Sequence, residues 1–138
     1  MKFPTLRERQ DRFIADMAMF ENWTDRFNHL LSLSEELPAE FPAYLLPYRI
    51  AGCQSKTCFL PRIHDGLLYI KGWSNSAIMG GIIVAMTAIF NFTNRDELRH
   101  TELDFHIKSE LFDNLTQMRR AALEEMIRRI NVLYAANR

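Results

Sequence analysis

The sequence predicts an α+β fold in which a small three-stranded antiparallel sheet packs against several helices, one of them long, central and buried. Three observations carry that expectation. Short segments of extended type cluster between Tyr48 and Lys71, a turn-forming Asp65-Gly66 separates two of them, and the run from Ala77 to Phe90 is apolar on every side.

Thr5 precedes Leu6, and its hydroxyl can accept from a free backbone amide, so a first helix starts there, with Phe13, Met17 and Phe20 at helical spacing. Trp23, Phe27, Leu30 and Leu31 form the apolar stripe of a second helix, with Asp25 and Arg26 on its other side. That helix is expected to end before Pro38, since proline disfavours the helical conformation in the residue ahead of it. Three prolines between Pro38 and Pro47 then predict an extended surface connection.

Tyr48–Ala51 and Thr57–Ile63 are expected as strands, with Gly52 between them supplying a backbone angle that other residues resist. The Asp65-Gly66 turn leads into a third strand, Leu67–Lys71. Ser74, Asn75 and Ser76 offer caps for the helix Ala77–Phe90, which needs cover on nearly every side. Asn94 and Glu97 have capping-box spacing and open a short helix. Thr116 opens the last one, where Met118, Ala122, Met126, Ile130 and Leu133 form the inner stripe beneath an outer face of mixed charge. No repeat, low-complexity tract or internal boundary interrupts the chain, so residues 1–138 are expected to form a single domain.

With 48% hydrophobic and 25% charged residues, the composition is that of a globular domain rather than a disordered chain. Lys plus Arg equals Asp plus Glu at 17 each, which leaves no global field to recruit nucleic acid or an anionic membrane surface. The run Ala77–Phe92 is shorter than the roughly 20 residues that span a bilayer. The start, MKFPTLRERQDRF, lacks the apolar segment of a secretory signal, and two cysteines are too few for a disulfide framework, so a reducing, cytoplasmic setting is expected. Four scattered histidines and helical methionines predict no metal site; Met17, Met19, Met79, Met86, Met118 and Met126 are expected as core filling.

The chemistry-bearing segment is Ile50-Ala-Gly-Cys-Gln-Ser55, which places Cys53 directly after glycine in a tight connection. A thiolate attacks sulfur far better than a thiol, so a working Cys53 needs donors or positive charge nearby; the alternative is a small core residue.

Gly52-Cys-Gln-Ser55 resembles the active-site motif of the SufE family of sulfur acceptors. Trp23-Thr-Asp-Arg-Phe27, Gly72-Trp-Ser-Asn-Ser-Ala-Ile78, Leu115-Thr-Gln-Met-Arg119 and Leu123-Glu-Glu-Met-Ile127 resemble further segments of that family in the same order, along nearly the whole chain. The resemblance implies that Cys53 receives persulfide sulfur from a cysteine desulfurase, stimulates that enzyme and relays sulfur toward an iron–sulfur scaffold complex. The chain is then a sulfur carrier rather than a stand-alone enzyme. It implies no bound cofactor, pyridoxal phosphate belonging to the desulfurase. Arg119 matches the family's arginine and is expected to favour the thiolate or to dock the desulfurase, the alternative being a solvated arginine at a helix start. Gln54 and Ser55 come with the motif as donors near the sulfur or as shapers of the turn.

Trp73, Asn75, Gly80 and Cys58 depart from the family's pattern, where aspartate, aspartate, a basic residue and tryptophan are usual. Trp73 and Asn75 are therefore candidates for partner recognition, with packing against the core as the other reading of Trp73. Cys58 is expected to be buried packing rather than a resolving thiol. A non-catalytic interaction module, a peroxide-sensing thiol protein and a homodimer stay open.

Overall fold

A computed structural model of the chain describes residues 2–52 and 54–136. Helix α1 spans Leu6–Ala18. Thr5 and Glu8 satisfy each other's backbone amides at its start, the Thr5 oxygen accepting at 3.1 Å and the Glu8 carboxylate at 3.2 Å. Met19 caps its end, so Phe20 lies beyond the helix. Helix α2, Trp23–Leu33, starts on the side chain of Asn22, which accepts from Asp25 N–H. A 3-10 turn over Ser34–Glu36 ends this pair before Pro38.

Helix α3, Ala77–Phe90, begins where the Ser76 hydroxyl accepts from Met79 N–H. Eight of its residues are buried, among them Ile82, Met86 and Phe90. It crosses α2 at Gly81, where a Cβ would run into the Leu30 carbonyl, so only glycine lets the two backbones approach this closely. Neighbouring Gly80 lies under Leu37 and Ser34, where an added Cβ would come within 3.1 Å of each.

Strands β1, Thr57–His64, and β2, Leu67–Ser74, form an antiparallel hairpin running from the pair Thr57↔Ser74 to His64↔Leu67. Asp65 and Gly66 both take positive φ, 51° and 77°, as a two-residue turn requires. Among the described residues the sheet has two strands, which corrects the expected three. Pro47 has no amide to donate, and Ala43–Tyr48 winds into 3-10 turns with Leu45 buried beneath them, not the extended connection expected. Of the expected strand Tyr48–Ala51, what pairs with β1 is a single bridge, Arg49 to Cys58, beside a hydrogen bond from Ile50 N–H to Thr57 O. The carbonyls a longer third strand would have used are taken by Arg129, which donates to Tyr48 O at 2.7 Å and Phe59 O at 2.8 Å.

The rest of the chain wraps this centre. Helix α4, Arg95–His100, starts on Asn94, and the carboxylate of Glu97 accepts from Leu6 N–H at 2.7 Å, tying it to α1. Helix α5, Phe105–Lys108, is held by fully buried Gln10, whose side-chain oxygen accepts from Asp104 and Phe105 N–H. The Asp104 carboxylate receives both terminal nitrogens of Arg7, a bidentate pair that holds its pKa below the usual carboxylate range. Helix α6, Gln117–Ala136, lays Ala122, Met126 and Ile130 on the core. Met118, expected in the same stripe, is 42% exposed, and Met19 is 80% exposed; both lie at helix ends, where the stripe has run past the core. A second, smaller apolar cluster gathers Leu45, Cys58, Leu60 and Trp73 on the far side of the hairpin.

Candidate functional site

Cys53 lies outside the described residues, and the site is built from what holds the chain on either side of it. Upstream, Ile50 is buried and its N–H donates to Thr57 O at 2.8 Å. With the Arg49–Cys58 bridge, this closes the base of a short connection. Gly52 takes φ +83°, a conformation that strains any residue with a Cβ. Downstream, Lys56 N–H donates to the Asn75 side chain at 2.9 Å, and Asn75 N–H returns a bond to Lys56 O at 3.1 Å. Both limbs are therefore tied: one to β1 and α6, the other to the turn before α3.

Arg129 closes the base from outside. It donates to carbonyls on both limbs, Tyr48 and Arg49 before the connection and Phe59 after it. Its Nε is held by Glu125 at 2.7 Å. Glu125 in turn is pushed down to about 2, chiefly by hydrogen bonds from Arg128 against a cost of burial, then by Arg129. A hollow of about 610 Å³ separates the connection from α6, with Ile50, Gly52, Met118, Ala122, Glu125 and Arg129 among its walls.

Of the residues singled out from the sequence, the structure gathers Gly52 and the first turn of α6 around this hollow through Gln117 and Met118. Arg119 follows next in the chain, half-buried, with its N–H directed to the Thr116 hydroxyl at 3.4 Å. Gln54 is exposed, and Ser55, half-buried, shares a hydrogen bond with Thr57. Asn75 is exposed beside Lys56. Trp73 is 9% exposed; its indole N–H donates to Pro38 O at 2.8 Å and its ring packs edge-on against Phe41. Cys58 is fully buried, and desolvation raises its thiol above the ordinary range against the opposing pull of Arg49, Lys56 and Arg129.

Sequence reasoning missed Arg129 and Glu125, which it placed in a solvated outer face, and it missed the hydroxyls of Thr57 and Ser74, 2.9 Å apart and buried. The signal for that hydroxyl pair was available: a two-residue turn at Asp65-Gly66 sets a register that puts Thr57 opposite Ser74. A larger apolar groove of about 820 Å³, floored by Ile83, Val84 and Ala88, is lined by none of Gly52, Gln54, Ser55 or Arg119. Among the described residues no three potential ligands cluster to hold a metal ion, and no helix is long and apolar enough to cross a membrane.

Comparison with known proteins agrees with the family resemblance read from the sequence. An uncharacterized SufE-like protein of Rhizobium meliloti is 30% identical over 127 residues, covering 87% of this chain and 90% of its own length. A second uncharacterized SufE-like protein, from Rhizobium etli, is 22% identical over 126 residues, covering 87% of this chain and 85% of its own. The SufE family model, described as an Fe-S metabolism associated domain, matches residues 11–133, from within α1 to near the end of α6 and so across the tied connection and every element that holds it. The chain therefore belongs to the SufE family and has a role in Fe–S metabolism.

Proposed function

We propose that the chain takes sulfur as a persulfide on Cys53 from a pyridoxal-phosphate-dependent cysteine desulfurase, and hands it on toward an iron–sulfur scaffold complex. The observation that carries this reading is the Gly52-Cys-Gln-Ser55 motif, borne within the family match on a connection that is clamped at its base by Arg129.

The Cys53 thiolate attacks the terminal sulfur of the desulfurase's persulfide. A sulfur–sulfur bond forms to Cys53 as the donor's own sulfur–sulfur bond breaks. The donor cysteine leaves as a thiolate with the bonding pair, so the exchange involves no net oxidation. Arg119, a permanent cation, favours the thiolate or pairs with an acidic group on the desulfurase. Removing sulfur from the donor frees it for another turnover, which makes the chain an activator of that enzyme.

The test is to incubate the protein with a cysteine desulfurase and cysteine, then weigh the Cys53 peptide without reductant. A gain of one sulfur atom is expected, and Cys53→Ser should abolish stimulation while leaving the circular dichroism spectrum unchanged. A desulfurase that binds the chain yet adds no sulfur to it would assign a non-catalytic interaction module instead.

A further inference from the structure

We propose that the outer edge of β2 at residues 70–72, with the apolar groove beside it, is a docking site for an extended segment of a partner protein. The segment carries alternating apolar side chains, a basic residue near its amino end and an acidic one near its carboxyl end. The groove is lined by none of the described motif residues, so this inference goes beyond the sulfur-acceptor reading and does not depend on it.

Backbone hydrogen-bonding directions alternate along an antiparallel strand. Leu68 N–H turns away from the hairpin to Thr93 O at 2.9 Å, and Phe92 N–H returns to Leu68 O at 2.8 Å. Ile70 N–H likewise turns away, to the Asn91 side chain at 2.9 Å. Gly72 is next in this alternation, so its N–H and C=O also face away from β1, and no described residue takes them up. The chain after α3 thus covers the edge as far as Ile70 and stops. Half-buried Gly72 borders the groove of about 820 Å³ together with Ile70 and Lys71. An added strand would supply the partner that this peptide group lacks. The facing wall is α3, which stands so close that a Cβ at Gly72 would come within 2.8 Å of Ile83. Val84 and Ala85 are half-buried and Ala88 is exposed there, an apolar strip left uncovered on a helix otherwise mostly buried.

Charge on the rim is sorted along the groove. Arg9 donates to Asn91 O where α3 ends, and Arg12 lies one turn further along α1. Leu37 covers Gly80 where α3 begins, and Glu36 precedes it in the chain. Exposed Arg12 and Lys71 have no ion-pair partner among the described residues, nor do Asp16 and Glu36, so both signs are left for a ligand. Strand β2 runs from Leu68, beside Phe92 at the basic end, to Trp73, whose indole N–H donates to Pro38 O near Glu36. A strand antiparallel to β2 therefore has its carboxyl end toward Arg12 and its amino end toward Glu36. A fatty acid would match only the cationic end, whereas a rim of both signs beside an unpaired peptide group suits a polypeptide.

The experiment titrates the isotope-labelled full chain with a capped heptapeptide, Lys-Val-Thr-Val-Thr-Val-Glu, and follows the backbone amides by nuclear magnetic resonance. The Gly72 amide should shift, and its exchange with solvent should slow by about tenfold at saturation. Of two peptides N-methylated on alternate residues, one should lose binding and the other keep it, because only every second N–H faces the edge. The charge-swapped peptide, Glu-Val-Thr-Val-Thr-Val-Lys, should bind about threefold more weakly. Arg12→Glu combined with Lys71→Glu, at exposed positions that leave the core intact, should weaken the first peptide by about tenfold and remove its advantage over the swapped one. A Gly72 amide that stays still at millimolar peptide overturns the proposal, as does equal binding by the two methylated peptides. Movement of that amide with protein concentration alone would assign the edge to a second copy of the chain, and the same movement on adding decanoate would make the groove a lipid site; either result overturns it too.

Discussion

Glu125 holds the Nε of Arg129 at 2.7 Å from one turn earlier on α6, and the remaining nitrogens of that guanidinium reach carbonyls on both sides of the Cys53 connection. One side chain thereby joins the last helix to the sheet and to the motif.

Removing that fork leaves carbonyl acceptors under α6 without their donor. Arg129→Met should lower unfolding free energy by about 2–4 kcal/mol, since several charge-assisted bonds go at once. Arg129→Lys should recover part of this, because an ammonium cannot reach three divergent carbonyls together. Urea unfolding measures both, and equal stability of Arg129→Met and wild type would contradict the clamp.

Glu125 gives the clamp an acid limit. Its carboxyl falls from 4.5 to about 2 in the fold, so its contribution is fully present above 4.5 and disappears as pH falls through about 2. The stability difference between wild type and Glu125→Gln should therefore shrink across that window. A difference that stays constant down to pH 2 would mean the carboxylate's charge contributes nothing.

Gly81→Ala places a methyl group against the Leu30 carbonyl, a backbone atom that cannot step aside without moving α2. The cost should be about 3 kcal/mol or more, well beyond the helix-propensity gain of alanine. Thermal melts decide it, and an unchanged midpoint would sink the idea of a forced close crossing.

His106 sits between the rings of Phe105 and Phe112, its Nδ1 buried with no partner among the described residues. Burial pushes its pKa below 6.5, outweighing the opposing pull of Asp104 and Glu124. The unfolded chain then binds the proton first, so stability should decline as pH falls below 6.5 and level off once the folded form is also protonated. His106→Phe removes both the unsatisfied nitrogen and this slope; a variant with the wild-type pH profile would point to another titrating group.

Cys58, sealed in the smaller cluster with a raised pKa, should stay unmodified when the native protein is alkylated, and mild peroxide should produce no Cys53–Cys58 disulfide. Modification of Cys58 at a rate comparable to a free thiol would show that the cluster opens.

The parts of the fold legible in the sequence are those fixed by neighbours. Helix α3 runs from Ala77 to Phe90 as expected, because an apolar run bounded by a serine cap specifies both its ends locally. The same holds for Thr5 before α1 and for the Asp65-Gly66 turn. The expected strand at Tyr48–Ala51 failed for a reason invisible nearby: its acceptors are claimed by Arg129, 70 and 81 residues away. Extended propensity at Tyr48 lost to Pro47 and to the burial of Leu45. In the site, motif residues were legible by type, whereas the link from Ser55 through Thr57 to Ser74 exists only once the hairpin register brings opposite strands together.

A two-stranded ribbon has two free margins, and each is an invitation for another molecule's backbone to zip alongside. Here Arg129 occupies Phe59 O, Arg49 bridges Cys58, and Pro61 in the middle of β1 has no amide to offer any newcomer. The guanidinium that braces the motif thus also blunts the ribbon against fibril-like stacking, so loosening it should make the protein sticky at high concentration as well as less stable.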